Sequence, residues 1–250
     1  MFYALSEAKG MDMKMKCIYM FWVILLFGCI CVKNTRVYAM DIKEFETEEM
    51  SITDSELFLD NVNFNLLNIE PSKKPIRCFD VNEHGMLAIG TGEGSNKTIA
   101  IYSDAGIFQY GYRFYTDGSF GVELSNEELK IYFVRSDVAV SINFLGEIQY
   151  VSRICDTSKN NTYWNQYVRA RSRSVGEYQY VLKNDIGILG VFASTYSQLY
   201  RTDRLGNEQL IYNVNLSQFI SMLIMFLGIL LFVCIVATII IKEFKRFNKM

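Results

Sequence analysis

Apolar residues follow three regimes along the chain. Cys17 to Val32 (CIYMFWVILLFGCICV) and Ser217 to Ile241 are unbroken uncharged runs, while between them apolar residues come in strand-length bursts separated by Asn, Asp, Ser and Gly. The second run has 25 residues without a charge, more than the roughly 20 needed to cross a hydrocarbon core. A core helix of a soluble domain would keep a polar face. Here polar side chains are confined to Ser217, Gln218, Ser221 and Thr238. The pattern predicts a transmembrane helix over 217–241. Lys242, Lys245, Arg246 and Lys249 follow against a single acid, Glu243. This excess of cations predicts a basic cytoplasmic tail over 242–250, with the region before the helix outside the cytoplasm.

The first run has 16 residues, follows Lys14 and Lys16, and leads through a polar stretch to Val37-Tyr38-Ala39. That is the layout of a secretory signal with a small-residue cleavage site. Residues 1–39 therefore read as a signal peptide, or an uncleaved signal anchor, with an upstream extension over 1–10. The region between the runs lies outside the cytoplasm in both cases.

Within that region, three segments share one opening: an apolar strand end, an Asn/Asp-to-Gly turn, and a second apolar strand. They are centred on Gly85 (Phe79 onward), Gly118 (Tyr115 onward) and Gly187 (Leu182 onward). Each is followed by another hairpin with a short polar turn, at Gly106, Gly146 and Gly206, and a Gln-containing strand. Glycine supplies the positive φ of a tight hairpin, and Asn or Asp tolerates the neighbouring position. Gly85 and Gly118 are 33 residues apart, Gly106 and Gly146 are 40, and Gly146 and Gly206 are 60. The last spacing fits a unit of about 40 residues enlarged by an insertion over 155–177. Two hairpins per unit make a four-stranded antiparallel sheet, so 76–216 is expected to be an all-β domain of about three such units.

This unit resembles the blade of a β-propeller in length and strand count. The Asn/Asp-to-Gly turns between aromatic-rich strands resemble those of NHL-like and YWTD-like sensor propellers over about 140 residues. The Trp-Asp and Gly-His pairs of WD40 repeats are missing, as is a Tyr-Trp-Thr-Asp string. The resemblance implies architecture and assigns no functional residue. Three blades do not close a ring. A fourth sheet from Ser55 to Asn68, dimerisation into six blades, or an open curved array would each answer this, and a β-sandwich is the alternative fold.

Charge narrows the partners. Met40 to Leu216 holds 24 acids and 16 bases, a net of −8, and the lead-in over 40–75 opens with eight acids and one lysine before residue 61. Such acidity gives no electrostatic basis for binding nucleic acid. Of six cysteines, only Cys78 and Cys155 belong to the region outside the cytoplasm. They are available for one disulfide, or remain two buried thiols. His84 is the only histidine, which excludes a His-based zinc site and leaves catalytic triads dependent on a turn residue. Gly90-Thr-Gly92-Glu-Gly94-Ser lacks the Gly-Lys-Ser/Thr of a phosphate loop, since Lys97-Thr98 stands two residues too far on, and it joins two strands. Nothing in the sequence implies a cofactor.

The insertion is the candidate site. It carries Tyr163, Trp164 and Tyr167, then Arg169, Arg171 and Arg173. Aromatics and arginines are enriched at binding hot spots. Arginines at alternate strand positions share one face, where they can grip carboxylates or phosphates or simply face water. The expected function is a non-enzymatic recognition or assembly domain on the outer side of a plasma membrane, binding through the insertion and the loop tips. Its partners would be the lipid bilayer, a protein or cell-surface polymer, and a second copy of itself. A membrane-tethered hydrolase or its accessory subunit, and a ligand-sensing component of a signalling complex, are the alternatives.

Overall fold

A computed structural model describes residues 44–247 other than 186, 188, 189, 191 and 192. The signal segment and the basic tail beyond 247 lie outside these residues.

Fourteen strands are described, and they form three antiparallel sheets. Sheet 1 is built from β3 (Ile76–Val81), β4 (Leu87–Glu93), β5 (Asn96–Tyr102) and β6 (Phe108–Tyr115). Sheet 2 follows with β7 (Phe120–Leu124), β8 (Glu128–Phe133), β9 (Val138–Asn143) and β10 (Ile148–Ile154). Sheet 3 has β11 (Ser172–Val175), β12 (Tyr178–Lys183), β13 (Gln198–Thr202) and β14 (Glu208–Asn213). Within each sheet these four strands pair in chain order, as an antiparallel meander. The outcome is mostly β, as the hydrophobic bursts imply.

Two further strands come from the lead-in. β1 (Thr47–Glu49) pairs with β10, and β2 (Asn65–Leu67) pairs with β6, so sheets 1 and 2 each gain a fifth strand on their outer edge. Between them runs the helix α1 (Ile52–Val62). Ser51 caps it by accepting the Asp54 N–H at 3.1 Å, satisfying a donor that the first turn leaves unpaired. Phe58, Leu59 and Val62, three and four residues apart, turn to the core between sheets 1 and 2. The expected fourth sheet over Ser55 to Asn68 is therefore corrected to a helix and an edge strand.

The strand pairing also corrects one alignment. Asn82 to Met86 joins β3 to β4 inside sheet 1, but the turn at Gly118 carries the chain from β6 to β7, from one sheet to the next. Gly187 lies in the long connection between β12 and β13, and most of the strand expected after it lies outside the described residues. The turns at Gly106, Gly146 and Gly206 are equivalent: each joins the third and fourth strands of its meander. The three glycines have φ of +77°, +84° and +85°. Each donates its N–H to the carbonyl three residues back, on Ser103, Asn143 and Asp203, at 2.9, 3.0 and 3.1 Å. The side chains of those three residues accept backbone N–H groups across the turn, as short polar side chains do in Asx-type turns.

Sheet 1 lies between the other two. One face packs on sheet 2 through Ile99, Phe114, Val122, Ile131 and Val140. The opposite face packs on sheet 3 through Phe79, Ile89, Tyr180, Leu199 and Tyr212. First strands meet at the junction, where Asp80 of β3 accepts the Leu124 N–H of β7 at 2.8 Å and the Arg173 Nε–H of β11 at 2.7 Å.

These contacts give the domain two ends. The turns at Asn82 to Met86 and at Ser125 are joined by Asn82 Nδ2–H to the Ser125 carbonyl at 3.3 Å. Arg201, next to the Gly206 turn, donates to the Asp104 carbonyl in the Gly106 turn at 3.0 Å. Strand alternation puts the Gly146 turn at the same end. At the other end, β14 leads through Val214 into α3 (Asn215–Phe247). The first turn of α3 is fastened there: Gln218 Nε2–H donates to the Thr195 carbonyl at 3.0 Å, Asn215 Nδ2–H to the Asp185 carbonyl at 2.7 Å, and Ser197 Oγ–H to Asn215 Oδ1 at 2.9 Å. Asn215 to Ile239 is long and apolar enough to cross a membrane; its most apolar stretch has a mean hydropathy of 3.1 and nothing of it is buried in the protein.

Candidate functional site

The insertion after β10 folds as α2 (Ser158–Tyr163) continued by a π-helical turn over Trp164–Val168. Thr157 caps α2 by accepting the Asn160 N–H at 3.1 Å. Asn160 is itself buried and ties the segment to the lead-in, accepting the Glu46 N–H and donating to the Glu46 carbonyl, both at 2.8 Å. The rest of the stretch read as insertion already belongs to sheet 3, because β11 begins at Ser172.

The helical segment covers the second face of sheet 2. Val168 and Trp164 sit over Gly121, where a Cβ would collide with Val168 Cγ1 and stand 2.8 Å from Trp164 Cζ3. Phe45 fills the space between Tyr132 and Tyr163, with ring centroids at 4.5 and 4.8 Å. Tyr163 is 2% exposed, and its hydroxyl donates to Glu123 Oε2 at 3.0 Å; Tyr132 donates to the same oxygen at 2.5 Å. Burial raises the Glu123 carboxyl above the usual carboxylate range, against the pull of these two hydroxyls.

Arg173 is a core residue at 7% exposure, paired with the nearly inaccessible Asp80. Its Nη2–H donates to the Tyr167 carbonyl at 2.7 Å, and the Tyr167 ring lies 4.4 Å from its guanidinium carbon. Burial raises the Asp80 carboxyl, with Arg173 and the Leu124 N–H acting the other way. The three arginines do not share a strand face: Arg169 ends the helical turn, Arg171 precedes β11, and Arg173 alone lies in it. Of the six residues singled out by sequence, Tyr163 and Arg173 are buried and Trp164 is half-buried. Tyr167, Arg169 and Arg171 remain at the surface. Tyr167 is stacked on Tyr163 with centroids at 5.1 Å, and Arg171 lies 5.4 Å over the Tyr196 ring.

Cys78 and Cys155 are free thiols, the unpaired of the two states left open by the sequence. Cys78 is buried in β3 against Gly90, and Cys155 follows β10 next to the acidic lead-in, its N–H bonded to the Glu46 carbonyl at 3.0 Å. Burial raises the Cys78 thiol far above its ordinary range. No group of three or more metal-ligating side chains occurs among the described residues.

Sequence reasoning pointed to the loop tips but singled out none of the residues at the turn end of the sheets. There Ile107, Leu145 and Leu205 are 63%, 83% and 88% exposed, beside the exposed acids Glu83, Asp104, Glu127 and Glu147. An apolar side chain inside a glycine turn was the available signal. No protein-family model and no curated protein matches the chain. Among solved structures, a crystal structure of Kluyvelomyces marxianus Hsv2 is similar at 13% identity and a TM-score of 0.18, over 57% of this chain and 50% of that one. The chain thus spans about half the length of that protein, and a likeness of this size assigns neither fold nor function.

Proposed function

We propose that this chain is a membrane-anchored recognition or assembly domain, held by α3 as a single span and presenting its sheets outside the cytoplasm. The observation that carries the reading is the two-ended construction. The apolar helix leaves one end of the domain without a linker, and exposed apolar turn tips with acidic neighbours crown the opposite end. In this reading the three meanders are blade-like repeats of an incomplete propeller, supported by the shared strand order and the thrice-used Gly turn. Recognition belongs to the turn tips and to Tyr167, Arg169 and Arg171, which differ from the core residues in being free to meet a partner. The two carboxylates that burial raises, Asp80 and Glu123, are engaged by structural donors, which favours binding over hydrolysis.

Labelling tests the orientation. In a Cys155→Ser background, Leu145→Cys should react with a membrane-impermeant maleimide on intact cells, and Lys249→Cys only after lysis. The reverse pattern would overturn the reading. Recognition is tested by cross-linking in intact cells with the tail as handle. A Tyr167→Ala/Arg169→Ala/Arg171→Ala chain that recovers the same partner as the parent would remove that surface from the proposal.

A further inference from the structure

A cavity of about 300 Å³ lies at the end of the domain from which α3 departs, between Pro71–Lys74 and sheet 1. Thr91, Thr98 and Arg113 occupy one cross-strand row of its floor, and this row begins with Ile76. Ile76 donates its N–H to the Tyr196 carbonyl at 2.7 Å, and the adjacent Thr195 holds Gln218 in the first turn of α3. The cavity is therefore tied to the helix through one short run of hydrogen-bonded neighbours.

Its lining reverses the charge of the surrounding region, which is acidic overall. Lys74 and Arg113 contribute two cations, Ser72, Thr91, Thr98 and Tyr115 contribute hydroxyls, and no carboxylate is part of the lining. Arg113 has no ion-pair partner among the described residues, whereas Lys74 meets Glu93 at 2.9 Å from outside the lining. A planar guanidinium and an ammonium suit a phosphate. Hydroxyls, which donate and accept, suit the alcohols of a polyol.

We propose that this cavity binds a phosphate carried on a polyol, and that the headgroup of an anionic lipid in the bilayer crossed by α3 supplies it. The lipid source rests on the membrane reading above; the phosphate chemistry does not. Glu93 competes with the phosphate for Lys74, so its removal strengthens binding.

The test uses the full chain in a non-ionic detergent. Calorimetric titration with glycerol 3-phosphate reads the cavity without a bilayer, and native mass spectrometry with phosphatidylglycerol against phosphatidylcholine reads the lipid. Saturable binding of glycerol 3-phosphate and selective retention of phosphatidylglycerol are expected. Arg113→Ala should weaken both by about tenfold or more, as for a lost hydrogen bond to a charged group, and Glu93→Gln should tighten both. Arg135→Ala removes an equal charge at the same end of the domain and should change neither. Equal losses in Arg113→Ala and Arg135→Ala, or none in Arg113→Ala, would overturn the cavity as the site. Binding of glycerol 3-phosphate with no preference between the lipids would overturn the lipid source, while failed topology labelling with intact glycerol 3-phosphate binding would overturn only the bilayer reading.

Discussion

At the scale of single residues, the junction of the three sheets depends on Asp80 and Arg173. Removing one member of a buried pair leaves an uncompensated charge, at a cost of about 3–5 kcal/mol. Arg173→Met should lower the denaturation midpoint of the full chain in detergent accordingly, and adding Asp80→Asn should restore part of the loss. An unchanged midpoint in Arg173→Met would show that the pair does not hold the junction. Glu123 gives a pH dependence. Its carboxyl is raised above the ordinary value of 4.5, so the folded chain binds this proton more tightly than the unfolded chain. Its contribution then falls as pH rises from that value through the folded one. The thermal midpoint of the parent should drop relative to that of Glu123→Gln across this window, and parallel profiles would refute the assignment. Neither role was legible in sequence. Arg169, Arg171 and Arg173 have the spacing of one strand face, but the strand begins only at Ser172, and the partner Asp80 lies 93 positions earlier.

Elements were legible where backbone geometry restricts residue choice. The turns at Gly106, Gly146 and Gly206 could be read because a left-handed position at a hairpin leaves glycine as the unstrained residue. Nothing lies within 4 Å of a Cβ built on Gly206, so Gly206→Ala isolates the backbone cost, about 1–2 kcal/mol, and a chemical denaturation curve should show it. Gly118 misled because it is a glycine for another reason: a Cβ there would stand 2.7 Å from Arg135 Cβ. A turn that folds a strand back and one that hands the chain to the next sheet have the same local composition. The helix α1 did leave marks, in the Ser51 cap with Asp54 and the apolar positions 58, 59 and 62, but the same stretch also reads as alternating strand. For the helical insertion, Gly121→Ala tests its seating. Overpacking against Val168 and Trp164 should cost about 1–3 kcal/mol and red-shift the emission of Trp164. A spectrum and midpoint equal to the parent's would mean that the helical turn does not depend on this contact.

For the molecule as a whole, the number of sheets and an apolar helix long enough to cross a membrane followed from the sequence, because hydropathy and turn spacing are legible over long stretches. What did not follow is the role of the acidic lead-in. Thr47 to Glu49 and Asn65 to Leu67 are too short to announce strands, and their partners β10 and β6 come about 100 and 45 residues later. Yet they occupy the outer edges of sheets 2 and 1, where backbone donors and acceptors would otherwise stand unpaired. Such rows template pairing between chains. A chain beginning at residue 70 keeps every strand of the three meanders and bares two such rows at once. It should therefore emerge from purification as concentration-dependent aggregates with added β signal, whereas the longer chain stays dispersed. In the growing polypeptide the same dependence makes residues 47–67 a closing clasp, made first and fastened only after the strands that receive it have formed.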